Sequence, residues 1–470
     1  MKISKWLVLG FLALLLAPSV PGSSTSEPRL PNILVIMTDD QTLDDMQVLA
    51  KTRSHLAAKG TTFENSFASY PLCCPSRATF LTGQYPHNHG VVANSGPNGY
   101  PRLDETNTLA VWLEDAGYFT AHVGKYLNGY GVGLSPAVPP GWSRWFGLMD
   151  PTTYRYYDYT VSEDGIAVSY GSGEEDYQTD VLAAEAERIL RSFEGKAQPL
   201  FLVVTPLAPH LESLRRNVTS PPRPAPRHEG AFAHERFPLK PSFNEANMAD
   251  KPDFLRRRAP LGKAAVEDVV ETYRARHASL LAVDDLVERL VHVLERSGDI
   301  HHTVILFTSD NGFFLGEHRL PKGKFLPYEE SIRVPLIVRG GGFPAGRTAK
   351  QLVSNVDLAP TILELARATP RRELDGRSLV PLALDPSVGK NRTLLIEGAR
   401  LNANSPAYSA VRDERWLYVE YDQGGRELYD LKRDPYQLRS RHNDRALASL
   451  RAGLATRLAR LRDCSGEECL

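Results

Sequence analysis

The chain has 470 residues, 42% hydrophobic and 24% charged, which is the ordinary globular range. At about 100–200 residues per domain it is long enough for one large α/β domain and a smaller one. Lys and Arg number 55 against 56 Asp and Glu, so no overall field draws the protein to nucleic acid or an anionic membrane; any anionic ligand has to be held by local cations.

In chain order, Lys2 and Lys5 precede an apolar run over residues 6–17 and the small, helix-breaking residues 18–24. This is the order of a secretory signal peptide, read over residues 1–24. The run is shorter than the about 20 residues that span a bilayer. The expected location is extracellular or periplasmic, or lysosomal in an animal host, without stable membrane insertion.

Residues 33–37 form an apolar run that reads as a buried parallel strand, ending in Thr38-Asp39-Asp40. Residues 201–205 read the same way and end in Pro206-Leu207-Ala208-Pro209-His210; residues 303–308 end in Ser309-Asp310-Asn311-Gly312. Helical periodicity fills residues 179–193 and 266–296, where Leu280, Leu281, Val283, Leu286, Leu290 and Leu294 recur at helical spacing. Alternating strands and helices predict an α/β fold, a large and mainly parallel sheet between helices, over residues 31–375. Residues 210–262 are rich in Pro and Arg and lack periodicity, as functional or partly disordered loops do. Short strands over 408–412, 415–421 and 427–431 and a helix over 444–461 predict a smaller antiparallel α+β subdomain at 376–470.

In an open α/β sheet ligands bind beyond the carboxyl ends of the strands. Asp39, Asp40, Asp310 and Asn311 are therefore expected to face one crevice. Three carboxylates and an amide oxygen form a hard donor set suited to Ca²⁺ or Mg²⁺ and not to zinc. Singly, each Asp would as readily cap the turn after its strand. The four cysteines fall in two pairs. Cys464 and Cys469 are spaced for a local disulfide that ties down the C-terminus. Adjacent Cys73 and Cys74 need unusual backbone geometry to bridge, and call for another explanation.

The explanation comes from a resemblance. Cys73-Cys74-Pro75-Ser76-Arg77, continuing to Thr82-Gly83, is similar to the signature of the formylglycine-dependent sulfatases of the alkaline-phosphatase-like superfamily. The resemblance covers residues 31–470. Tyr85-Pro86-His87-Asn88-His89 and Gly124-Lys125-Tyr126-Leu127-Asn128 bring it nearest to the N-acetylglucosamine-6-sulfatases. It implies that Cys73 is oxidised to formylglycine by a formylglycine-generating enzyme, while Cys74 fills the variable position as a small buried hydrophobe. It implies one Ca²⁺ per chain, held by Asp39, Asp40, Asp310, Asn311 and modified Cys73. Arg77 would hold the formylglycine oxygen, Lys125 and Lys324 would bind sulfate, and His210 would meet the bridging ester oxygen. The implied substrate is a sulfated carbohydrate, foremost the 6-O-sulfate of N-acetylglucosamine or glucosamine units. Aryl sulfates and other sulfated polysaccharides are alternatives within the family, and phosphonate or phosphate esters within the superfamily.

The chemistry accounts for these residue types. An aldehyde hydrate has two hydroxyls on one carbon: one attacks sulfur, and deprotonation of the other expels sulfate and restores the aldehyde. Cations should line a sulfuryl group that gains charge in transfer, and a histidine titrates in the range needed to protonate a leaving alcohol. In one respect the chain departs from many arylsulfatases, which carry histidine where Leu127 stands. His318 is then a candidate base for the elimination step, while His87 and His89 could equally brace the helix after the nucleophile. Asn217 and Asn391 head glycosylation sequons.

Overall fold

A computed structural model of the protein describes residues 29–133, 136–215, 218–402 and 405–470. Residues 1–24, read as a signal peptide, and the sequon at Asn217 lie outside the described residues.

Ten strands form the central sheet. In chain order they are β1 (Asn32–Thr38), β2 (Thr61–Phe67), β3 (Phe119–Gly124), β4 (Arg144–Leu148), β5 (Thr160–Glu163), β6 (Ile166–Ser169) and β7 (Leu200–Thr205). A small hairpin, β8 (Glu212–Arg215) and β9 (Val218–Ser220), precedes β10 (Thr303–Ser309), β11 (Leu336–Arg339) and β12 (Arg347–Ser354). Across the sheet the order is β12-β2-β11-β10-β1-β7-β3-β4-β5-β6. The centre, β10-β1-β7-β3-β4, is parallel throughout. Antiparallel pairs appear where β11 joins β10 and β2, and where β5 and β6 close the other edge.

Alternation along β1 shows why the fold holds. Ile33, Val35 and Met37 join a core that includes Ala78, Leu81, Trp112 and Ile362, whereas Leu34 and Ile36 face Leu182, Ile189, Val283 and Leu290. The second face is covered by the helices Gln178–Ser192 and Lys263–Ser297. With both faces covered, a central strand has no polar side, which is why β1, β7 and β10 read as unbroken apolar runs.

A second sheet, β13 (Leu394–Gly398), β14 (Tyr408–Arg412), β15 (Trp416–Tyr421) and β16 (Arg426–Asp430), is antiparallel in sequential order. Leu394, Ile396, Ala410 and Val419 pack on Phe67, Tyr70 and Phe325 of the larger unit. Leu395, Val411 and Leu428 pack on Leu454, Leu458 and Leu461 of the final helix, Ala448–Leu461. Cys464 and Cys469 are bonded just beyond that helix. Among the described residues no helix is long and apolar enough to cross a membrane.

Candidate active site

Four neighbouring parallel strands deliver the site from their carboxyl ends. Asp39 and Asp40 follow β1, Asp310 and Asn311 follow β10, Lys125 follows β3, and His210 lies on the connection after β7. The register Thr38↔Ser309 sets the two acidic turns level. Asp40 takes a left-handed backbone, φ 66°, a conformation Asp tolerates and bulky residues do not. Gly124 stands at φ +115° with its Cα so close to β7 that a Cβ would lie 2.3 Å from the Thr205 carbonyl; only glycine lets β3 end there. The next residue, Lys125, then enters the crevice, its carbonyl accepting from Thr205 Oγ1 at 2.7 Å.

Cys73 begins a wholly buried helix, Cys73–Thr82, that ends on left-handed Gly83. Its Sγ lies 3.4 Å from Asp39 Oδ1, 4.0 Å from Asp40 Oδ1 and 2.8 Å from Lys324 Nζ. Cys74 turns away into the sheet-facing core beside Ala78 and Leu81, and its backbone N–H donates to Asn94 Oδ1 at 3.0 Å. The two adjacent thiols therefore occupy unlike environments: one is in the crevice, the other in the core.

Cations and carboxylates interlock around Cys73. Arg77 Nε donates to Asp310 Oδ2 at 2.8 Å, its NH2 group is 3.5 Å from Asp39 Oδ2, and its NH1 group donates to the Lys125 carbonyl at 2.7 Å. Lys125 Nζ is ion-paired with Asp39, and Lys324 Nζ with Asp40. The Asp40 N–H donates to Asp310 Oδ1 at 3.1 Å, and Asn311 Nδ2 donates to Asp40 Oδ1 at 2.6 Å. Burial alone would raise the Asp39 carboxyl, but Lys125, His210 and Arg77 outweigh it and hold the group well below the usual carboxylate range. Burial and then Asp39 push the Cys73 thiol far above its ordinary value. Burial therefore disfavours the thiolate, the nucleophilic form, of an unmodified Cys73.

His210 Nδ1 donates to the Leu211 carbonyl at 2.7 Å. A carbonyl only accepts, which places a proton on Nδ1 and turns Nε2 toward Asp40 Oδ2, 3.5 Å away. Burial pushes the ring down to about 4, against the attraction of Asp40 and Asp39. Ligand atoms of Asp39, Asp40, Cys73 and His210 lie within 4.8 Å of one another and could hold a metal ion. Asp40 Oδ2 and Asn311 Oδ1 are buried without a hydrogen-bond partner. Orphaned oxygens facing a carboxylate cluster fit a hard cation. Asp310 stands beside this group with both oxygens engaged, by Arg77 and by the Asp40 N–H.

The remaining histidines lie elsewhere. His318 is fully buried, its Nδ1 2.7 Å from Glu245 Oε2 and its ring stacked on Tyr328 at 4.1 Å. Those contacts place it in a neighbouring polar cluster, not against Cys73. His89 Nε2 meets Thr79 Oγ1 on the Cys73 helix at 3.1 Å. His87 spans from Glu397 (2.9 Å) to the Cys464 carbonyl (2.8 Å). Both brace the segment after Cys73.

Three supporting residues escaped the sequence reading. Arg276 is fully buried; its NH2 group donates to the Asp40 carbonyl at 2.6 Å and to Asp45 Oδ2 at 2.9 Å, and its NH1 group to the Pro209 carbonyl at 3.2 Å. It ties the acidic turn to the His210 turn. Its signal was available, because Arg276 falls four and seven residues before Leu280 and Val283, on the apolar face of its helix. Tyr154 lies under Lys125 Nζ, 4.7 Å from the ring, and 4.7 Å from the His210 ring. Asn355 Nδ2 donates to Ser76 Oγ at 3.0 Å and to the Ser76 carbonyl at 3.3 Å. Nothing in the local sequence of either marks it.

Comparison with known proteins decides the family. The sulfatase family model matches residues 31–368, and a model of the C-terminal part of N-sulphoglucosamine sulphohydrolase matches residues 316–464. The chain belongs to the sulfatase family. This sulfatase is 35% identical to the N-acetylglucosamine-6-sulfatase of Capra hircus, over 94% of this chain and 85% of the relative. It is 32% identical to an arylsulfatase of Volvox carteri, over 98% of this chain and 78% of the relative. A solved structure in complex with its substrate D-glucosamine-2-N,6-O-disulfate superposes with a TM-score of 0.77 at 26% identity, covering 92% of this chain and 98% of the other. The sulfatase is accordingly a sulfuric ester hydrolase, and the crevice around Cys73 lies in the part of the chain that the family model matches.

Proposed function

We propose that this sulfatase removes the 6-O-sulfate from N-acetylglucosamine or glucosamine units of sulfated glycans, using formylglycine made from Cys73. The observation that carries the reading is the position of Cys73 Sγ, 2.8 Å from Lys324 Nζ and 3.4 Å from Asp39 Oδ1, in a crevice whose other cations, Arg77 and Lys125, are buried. The name of the goat relative and the disulfated glucosamine bound in the solved neighbour support the choice of sugar and position. The hydrated aldehyde supplies a nucleophile with a second hydroxyl through which sulfate can be expelled. Calcium, held by Asp39, Asp40, Asp310 and Asn311 together with residue 73, would lower the pKa of the attacking hydroxyl.

The chain's own residues do the rest. Lys125 and Lys324 present ammonium groups to the sulfuryl oxygens, where charge grows during transfer. Arg77 keeps Asp39 and Asp310 in place and holds the nucleophile's oxygen. His210, anchored through Nδ1, directs Nε2 at the bridging oxygen; a bound sulfate monoanion beside it favours the protonated ring, which then protonates the leaving alcohol. In this reading the catalytic unit is residues 31–375 and the subdomain 376–470. Maturation requires a formylglycine-generating enzyme, and residues 1–24 direct export to the extracellular or periplasmic space or, in an animal, the lysosome.

A panel of defined sulfated mono- and disaccharides tests the substrate. Release of sulfate from 6-O-sulfated glucosamines, ahead of 2-O-, 3-O- and N-sulfated ones, is the expected result. Turnover of aryl sulfates with none of the sugars would contradict it.

A further inference from the structure

A groove of ≈ 730 Å³ opens between the turn Asp253–Arg256 and the β15–β16 turn. Its floor holds Phe254 and Tyr421, edge to face at 5.2 Å. Its rim holds the guanidinium groups of Arg256, Arg257 and Arg426, whose side chains are 51%, 78% and 57% exposed. One carboxylate, Asp253, lines it and pairs with both Arg256 and Arg257. In three other grooves of comparable size acids outnumber Lys and Arg. Here the balance is reversed, which selects an anionic occupant. An aromatic floor and planar guanidinium donors together suit a sugar ring bearing sulfate or carboxylate.

Packed aromatic side chains link the groove to the active site. Arg256 and Arg257 lie between the β8–β9 hairpin and the helix Lys263–Ser297, and His210 lies just before that hairpin. From the other side Tyr421 packs on Tyr408 at 6.0 Å, and Tyr408 packs on Phe325 at 5.5 Å and hydrogen-bonds its carbonyl. Phe325 follows Lys324. Three rings in sequence, Tyr421, Tyr408 and Phe325, thus connect the groove to the neighbour of Lys324.

We propose that this groove is an anionic-glycan subsite, holding a sulfated or carboxylated unit of the same oligosaccharide whose 6-O-sulfate lies at Cys73. The proposal rests on the sulfated-glycan reading, and the experiment separates the two. The full, converted chain is compared with the variant Arg256→Ser/Arg257→Ser/Arg426→Ser, changed only at exposed positions, and with Arg257→Glu. Binding of a heparin-derived hexasaccharide chemically stripped of its 6-O-sulfates is titrated at low and high salt, and kcat/KM is measured on 6-O-sulfated glucosamine monosaccharide. Exposed charge contacts of this kind should make hexasaccharide binding about tenfold weaker in the triple variant and flatten its salt dependence. Arg257→Glu should act in the same direction, with monosaccharide turnover within about twofold of the parent in both variants. Equal hexasaccharide binding by parent and variants, no binding by the parent, or a parallel fall on the monosaccharide would overturn the subsite. Hexasaccharide binding that the substitutions weaken, with no turnover of the monosaccharide by the parent, would retain the groove and reject the substrate reading.

Discussion

Replacing His210 with alanine separates the chemistry of the leaving group from everything else in the crevice. The structural cost is small. The ring is 16% exposed, and its packing is against Tyr154. The backbone carbonyl that accepts from Tyr156 Oη at 2.8 Å is retained in the variant. A partial cavity at a half-buried site costs about 1–2 kcal/mol, which leaves the fold intact. The catalytic cost depends on the ester. A sugar alkoxide leaves poorly without a proton, and a positioned general acid contributes about 10²–10⁴-fold, equivalent to about 3–5 kcal/mol of barrier. An activated phenolate leaves unaided, so the loss there should be less than about tenfold. The assay is kcat/KM on 6-O-sulfated N-acetylglucosamine and on para-nitrophenyl sulfate, with the unfolding midpoint as a control. Equal losses on the two esters would refute the assignment of His210 as the acid, because a residue that only shapes the pocket does not distinguish leaving groups.

If Lys125 and Lys324 bind the sulfuryl group as proposed, Lys125→Ala and Lys324→Ala should each lower kcat/KM by about 10²–10³ on sugar and aryl sulfates alike, since those oxygens are common to all substrates; selectivity between esters would contradict that role. Chelation should abolish activity and lower the unfolding midpoint, and Ca²⁺ or Mg²⁺ should restore both; restoration by Zn²⁺ alone would rule out the oxygen-rich site. Burial pushes the His318 ring down to about 3 from an ordinary 6.5. Its neutral form therefore contributes stability that is complete above about pH 6.5 and drains away as pH falls toward 3. His318→Gln should lose less denaturant resistance than the parent between about pH 7 and 5. An unchanged pH slope would show that His318 is not the group responsible.

What the sequence disclosed follows from how the fold buries its parts. The central strands β1, β7 and β10 are covered on both faces and stand out as unbroken apolar runs. So does the helix Lys263–Ser297, through its leucine spacing. The strand β2, Thr-Thr-Phe-Glu-Asn-Ser-Phe, lies near the sheet edge with Glu64 exposed, and β6 is largely exposed; neither has a pattern that separates it from a loop. Within the site, Asp39, Asp40, Asp310 and Asn311 were legible because each follows a legible strand, and Cys73 and Arg77 because they share one motif. Arg276, Tyr154 and Asn355 act through contacts that exist only once distant segments meet. Arg276 alone left a trace, as a charge on an apolar helical face. His318 shows the converse. The missing histidine at Leu127 made His318 a candidate, but its partners in the fold, Glu245 and Tyr328, belong to another cluster.

The proposed chemistry depends on Cys73. Its thiol faces Lys324, Asp39 and Asp40, whereas Cys74 faces the core, and the signature keeps its register only when counted from Cys73. The direct measurement is the mass of the tryptic peptide ending at Arg77, with fragmentation to place the change. Conversion of CH₂SH to an aldehyde makes that peptide lighter than its thiol form by about 18 Da, and the account places the whole shift on residue 73. Cys73→Ser should then turn over at most once, while Cys74→Ala keeps its activity at a stability cost of about 1 kcal/mol. A shift that maps to Cys74, or repeated turnover by Cys73→Ser, would contradict the account.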